Sequence, residues 1–501
     1  MVDIPPEIWY RIARFVPEEE LCHLLGANTV FFDLAMNLRW KEVSIQTRNT
    51  LEAMRILNRL LDPYIARRLQ HLKLRLTHVK AIHHSGGSQE KAKDLKQLKQ
   101  QFYLIVNRVF KIKRAQREID SVALGMSDPR QSRPTFNDVM GAVIDATPQF
   151  VNVTELTIDA WDLPPLYGNL EALFTSFWTT FGANLRRLSL GGNLEGYRIL
   201  IESKPRFTQL EALRVEFTNN VFRVDQAADS AILVDVVAPF INSLNLSLEA
   251  LEIWSWANLD LSMFFQRLVV PPALKHLNVR MAFNRTLADP SGLKWLLCEG
   301  SETLEKLDIR LNPSRLFPTT PEEERLSRWL GHCIDDKRCF AKLRHLDIYP
   351  TNTEVGINVL LTSIKRASET LVHLTIRDRY FLQGEATLIL EAASRCKSLT
   401  YLRMNIWKLN ITLLDLFAAH VPCVEHLWLS LSAASSNNEH GIFGHDFFRE
   451  LQQRKYVDWR LKDLSVSHGG HDVDRETMEA LANTIPSVTS FFGRGHMELP
   501  L

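Results

Sequence analysis

His345 and His373 hold the same place, third, in two successive copies of one short pattern, LRHLDI and LVHLTI. Equivalent positions of adjacent strands lie about 4.8 Å apart. The pair, with Asp347 as a third ligand, is therefore a candidate metal constellation. Two aligned ligands do not close a site, so the alternative is a pair of hydrogen-bonded surface histidines. The same two readings apply to His468-Gly469-Gly470-His471-Asp472, which has H-x-x-H spacing inside a glycine turn. GGNLEG (Gly191 to Gly196) lacks the lysine and spacing of a phosphate loop. No cysteine sits in a nucleophile motif. The residue types thus point to binding rather than catalysis, with no cofactor expected.

The binding chemistry is concentrated in one column. If each copy is a strand, its third, fifth and seventh positions face away from the core. That column includes Trp254, Arg280, Arg310, Asp347, Tyr349, Arg377, Tyr401, Arg403 and Trp428 as candidate target-binding residues. Glu252, His276, Asp308, His345, His373 and His426 lie among them, and Trp256 extends the row. Trp, Tyr and Arg are the types that carry interface energy.

The element that must position them is a hexapeptide, L-x-x-L-x-[LIV]. Twelve copies start at Leu69, Val153, Leu185, Leu210, Leu248, Leu274, Leu304, Leu343, Leu371, Leu399, Val424 and Leu461, and VTSFFG at Val488 is a degenerate last copy. Steps average roughly 31 residues between Leu185 and Leu461, long enough for one helix and two turns. After LVHLTI, for example, Leu388, Leu390, Ala393 and Cys396 offer an apolar helical face. A strand–helix unit cannot bury its apolar side alone, so the copies must stack. The pattern resembles leucine-rich repeats of the long, ribonuclease-inhibitor-like kind, from about Leu69 to Phe492. The resemblance implies an α/β horseshoe solenoid whose concave face binds a protein.

Composition narrows the setting. Fifty-nine basic against 58 acidic residues leave a net charge of +1, which gives no global signal for nucleic acid or membrane. Six cysteines without a C-x-x-C pair fit free, buried thiols in a reducing compartment, hence cytoplasm or nucleus. Asp3 and Glu7 argue against a secretory segment there, and the apolar run AILVDVVAPFI is too short to cross a bilayer. Lys80 to Arg117 carries ten basic residues against Glu90 and Asp94. Lys111-Ile-Lys113-Arg114 would be the centre of a nucleic-acid or import patch. A charged face on an inserted helix, with Leu95, Leu98, Phe102, Ile105 and Val109 inward, accounts for the same residues. Nucleic acid is therefore not the expected partner. Thr320-Pro321-Glu322 predicts a helix start after the insertion NPSRLFPT.

The segment ahead of the repeats, which opens with IPPEIWYRIARFVPEEEL (Ile4 to Leu21), predicts three short helices in about forty residues. Pro5 and Pro6 pre-set the first, which Pro17 ends. Glu18 to Glu20 open the second, Gly26 closes it, and Asn28 caps the third. Ile8, Ile12, Phe15, Leu21, Leu24, Leu25, Phe31 and Phe32 are more apolar side chains than such helices can bury among themselves.

Residues 4–43 resemble an F-box, the helical module that docks on the Skp-type adaptor of cullin-RING ubiquitin ligases. Ile4-Pro5, Glu7-Ile8, Ile12, Glu20-Leu21, Leu24, Asn28, Phe31, Leu34, Trp40 and Val43 carry the match, and Thr29 departs from the family's basic residue. The resemblance implies adaptor contacts through Ile4, Pro5, Glu7, Ile8, Ile12, Leu21, Leu24, Leu25 and Phe31, a cullin scaffold behind the adaptor, and a non-catalytic substrate receptor. The expected domains are the module at 1–45, linker helices with the first repeat and basic insertion at 46–145, and the solenoid at 146–501. The alternative from the residues alone is a leucine-rich-repeat scaffold with a helical cap.

Overall fold

The computed structural model describes residues 5–76, 134–160, 170–220, 225–311, 320–432, 443, 445–469 and 471–495. The basic segment at 80–117, expected to carry a helix, and Ile4 lie outside them.

The hexapeptides form strands because their alternating apolar residues can all be buried on one side. The strands are β1 (Glu42–Gln46), β2 (His71–Arg75), β3 (Glu155–Ala160), β4 (Arg187–Gly192), β5 (Ala212–Phe217), β6 (Ala250–Ser255) and β7 (His276–Arg280). They continue as β8 (Lys306–Arg310), β9 (His345–Ile348), β10 (His373–Phe381), β11 (Tyr401–Ile406), β12 (His426–Leu431) and β13 (Asp463–His468). A hairpin strand β14 (His471–Asp472), then β15 (Ser490–Phe491) and β16 (Arg494–Gly495), complete one sixteen-stranded sheet. From β1 to β13 the strands pair in chain order, every pair parallel, with helices in the connections. This is a leucine-rich-repeat solenoid.

Register puts the fourth residue of each copy beside its counterpart. Leu251, Leu277, Leu307 and Leu346 are direct partners, and Leu374, Leu402, Leu427 and Leu464 continue the row. All eight are essentially inaccessible, and each buried leucine contributes on the order of 2 kcal/mol. The core is continuous from Trp40 to Phe491.

Three expectations shift. The solenoid begins one copy earlier than Leu69: β1 pairs with β2, Val43 beside Leu72 and Ile45 beside Leu74. Trp40, Val43 and Ile45 occupy the three apolar positions of a degenerate hexapeptide and are buried. A boundary at residue 45 therefore cuts through a strand, and Trp40 and Val43 belong to the solenoid core. In the helix Gln383–Ala393, Leu388 is exposed, and the inward face is Ala386, Ile389, Leu390 and Ala393. That set follows i, i+3, i+4, i+7 and closes the helical period better than the expected one. Of the cysteines, Cys298, Cys333, Cys339 and Cys396 are buried free thiols, whereas Cys22 is exposed. The helix after the insertion starts at Thr320, as its proline predicts.

Candidate functional site

Two surfaces carry the candidate residues. The first is the helical module. Pro6 opens α1 (Pro6–Ala13). A short α2 (Glu18–Leu21) passes into a 3-10 turn, and α3 (Thr29–Lys41) follows. The Asn28 side chain accepts a hydrogen bond from the Phe31 amide at 2.9 Å, capping α3 as its position predicts. Gly26 lies in the turn but has no positive φ, so it is not the left-handed cap its residue type suggested. Ala13, Leu21 and Phe31 form a small core of their own, with Trp9, Val16, Leu24, Leu34 and Leu38 against it. Trp9 meets Phe31 edge-on, ring centroids 5.6 Å apart.

That core divides the expected adaptor contacts. Leu21 and Phe31 are 7% and 4% exposed, so they hold the module together instead of facing a partner. Leu24 and Leu25 are half-buried, whereas Pro5 and Glu7 are open. Ile8 and Ile12, four residues apart on one face of α1, are 42% and 39% exposed, and Phe15 just beyond is 88% exposed. Tyr10 and Phe32 are exposed as well. The module meets the solenoid through α3, which runs without a break into β1. Arg68 donates to the Asp33 carboxylate at 2.8 Å and to its backbone carbonyl at 3.1 Å, and the Tyr64 hydroxyl donates to the same carboxylate.

The second surface is the strand face opposite the helices. It holds three groups of charged and aromatic side chains. Arg214 lies over the Trp254 ring at 3.8 Å, and Arg280 reaches Trp254 at 5.0 Å and Trp256 at 4.8 Å. Glu216 accepts from Arg214 at 2.7 Å and from the Trp256 indole at 2.8 Å. Asp347 accepts from Arg310 at 3.1 Å and from Arg377 at 2.7 Å. Arg403 lies over Trp428 at 4.5 Å. Among the expected target-binding residues, Trp254, Arg280, Arg310, Arg377, Tyr401, Arg403 and Trp428 thus share this face and are partly accessible.

Two expected members differ. Tyr349 is buried, its hydroxyl donating to the Glu323 carboxylate; burial and that carboxylate raise its pKa. It lies beyond the end of β9, where the chain leaves the sheet, so strand alternation no longer governs it. Asp347 does face the column but is covered by its two arginines, which leave it buried. Arg214 and Glu216 were missed, although the same hexapeptide register in LEALRVEF places them at the fifth and seventh positions.

His345 and His373 are direct register partners. They stack with centroids 5.3 Å apart, and Tyr401 stacks on the other side of His373 at 3.9 Å. Among the described residues no three His, Cys, Asp or Glu side chains are grouped to hold a metal ion. Burial, and after it the neighbouring His345, pushes the His373 imidazole from the usual 6.5 down to about 4. Burial lowers His345 also, with Lys306 next. The folded pKa of His373 is therefore below its unfolded value, and folding favours the neutral ring. Stability is full above pH 6.5 and declines as pH falls from there toward about 4. Allowing for solvent screening at a partly exposed ring, the loss amounts to about 1–2 kcal/mol. Thermal melting between pH 7.5 and 4 should show this slope, and His373→Phe should flatten it. An unchanged slope in the variant would remove His373 as its source.

Comparison with solved structures gives distant likenesses. The chain is similar to the crystal structure of the Rad7 and Elc1 complex in yeast, at 13% identity and TM-score 0.33, covering 82% of this chain and 94% of that one. It is also similar to the TLR13–ssRNA13 complex, at 14% identity and TM-score 0.32, covering 69% of this chain and half of the other. No family model and no curated protein matches it. Among the described residues no helix is long and apolar enough to cross a membrane.

Proposed function

We propose that this protein is a non-catalytic substrate receptor of a cullin-RING ubiquitin ligase, its helical module docking on a Skp-type adaptor and its strand face holding a target protein. One observation supports this most directly: Ile8, Ile12 and Phe15 stand uncovered on a module that already has its own core. An apolar face that folding does not use is suited to a partner. The module also matches the F-box pattern at Pro5, Glu7-Ile8, Ile12 and Leu21. The receptor works by proximity. Tethering adaptor and cullin at one end and the target at the other raises the local concentration of target lysines beside the ubiquitin-charged enzyme. The protein transfers nothing itself, and the setting is cytoplasm or nucleus.

A second reading has its own support. The Asp33–Arg68–Tyr64 contacts tie the module to the start of the solenoid, as a terminal cap requires. A scaffold with such a cap needs no adaptor. Co-purification of the full chain from cells separates the two: the receptor retains adaptor and cullin in stoichiometric amounts, and the scaffold retains neither.

A further inference from the structure

We propose that the strand face from β7 to β11 binds an extended, carboxylate-rich protein segment running across the strands. This rests on the receptor reading only for the purpose of the binding.

The charge arrangement carries it. Arg280, Arg310, Arg377 and Arg403 project from four strands of one face. Asp347 pairs with two of them, Arg310 and Arg377. Among the described residues Arg280 and Arg403 make no ion pair and rest on tryptophan rings. The other acidic groups nearby are occupied: Asp308 by His276 and Lys306, Glu252 by Asn278, Glu216 by Arg214. Asp378 acts on Arg280 at longer range. Burial first, then neighbouring guanidiniums, lowers the pKa of both Arg280 and Arg403. Their cationic forms are therefore poorly compensated, and an arriving carboxylate would supply what is missing through planar, two-pronged hydrogen bonds.

The spacing fixes the shape of the occupant. From β7 to β11 is four strand steps, on the order of 19 Å, which about six extended residues span. The occupancy of the rings argues for a peptide over a nucleic acid. Single-stranded nucleic acid needs open aromatic faces for its bases. Trp254 lies between Arg214 and Arg280, and Tyr401 is covered by His373 at 3.9 Å.

Fluorescence anisotropy with the full-length chain tests this, using three labelled twelve-residue probes: alternating Glu-Ser, alternating Gln-Ser, and oligouridylate. The Glu-Ser peptide should bind at least tenfold more tightly than Gln-Ser, and weaken steeply with salt. Arg280→Gln with Arg403→Gln should cost tenfold or more while melting stays within a few degrees of the parent. Competition by unlabelled polyglutamate on the unaltered chain gives the same answer without a variant. Equal binding of the two peptides, tighter binding of oligouridylate, or an unchanged affinity in a folded double variant would overturn the proposal. Peptide preference in a chain that never retains the adaptor supports this inference and sinks the receptor reading; adaptor retention without peptide preference does the reverse.

Discussion

A chain carrying Ile8→Asp and Ile12→Asp is expected to lose the adaptor while keeping its melting temperature. Both side chains are about two-fifths exposed and outside the module's core, so folding depends on them far less than on Leu21 or Phe31. In a docked complex the exposed two-fifths of each would leave water, contributing on the order of 1 kcal/mol. Losing both therefore weakens binding by roughly 2 kcal/mol, about thirtyfold, and the cost of burying two carboxylates adds to that. The control is Phe31→Ala, which removes an anchor of the module's own core and should lower stability as well as binding. Calorimetric titration with purified adaptor, beside thermal melting, reads both quantities. If the double aspartate variant still binds, α1 is not the docking face and the cap reading gains.

The second large effect is expected at Gly356. It lies in the helix Glu354–Arg366, where an alanine would ordinarily help. A Cβ there would fall deep inside the Pro350 carbonyl oxygen and the Thr351 hydroxyl, and 2.9 Å from the Pro350 carbonyl carbon. Two of those three atoms are backbone, and Thr351 already sits at φ 70 with its side chain buried. Gly356→Ala should thus cost about 3 kcal/mol or more. Gly141 and Gly384, also helical, have nothing within 4 Å of a built Cβ. Alanine at either should stabilise by about 0.5–1 kcal/mol. Urea titration of the three variants decides the matter, and a neutral Gly356→Ala would mean the turn at Pro350 can yield.

These residues also mark how far the sequence could be read. Strand positions were legible because L-x-x-L-x-L repeats with a period of two inside and about thirty outside, and each leucine finds its counterpart in the next copy. The copy at Trp40 escaped because its first apolar residue closes a helix and its fourth is Val43 rather than leucine. On the candidate surfaces, residue type and alternation placed Trp254, Arg280 and Arg403 on one face. They did not foresee that Asp347 would be consumed by two arginines, or that Tyr349 would turn inward once the strand ended. In the module, the excess of apolar side chains was visible. Which of them would be excess was not, because Leu21 and Phe31 differ from Ile8 and Ile12 only in how the three helices pack.

The junction at Lys41 and Glu42 has a mechanical meaning. Helix and first strand are one uninterrupted run of chain, and Trp40 in the helix's last turn lies inside the solenoid core. On the receptor reading, adaptor and target are then held by a single stiff body, and their separation is counted out in repeats. Each copy between them advances the binding strip by one strand spacing, about 4.8 Å. The number of hexapeptides ahead of Trp254 would set which lysines on a target come within reach, much as the length of a jig sets where a cut falls.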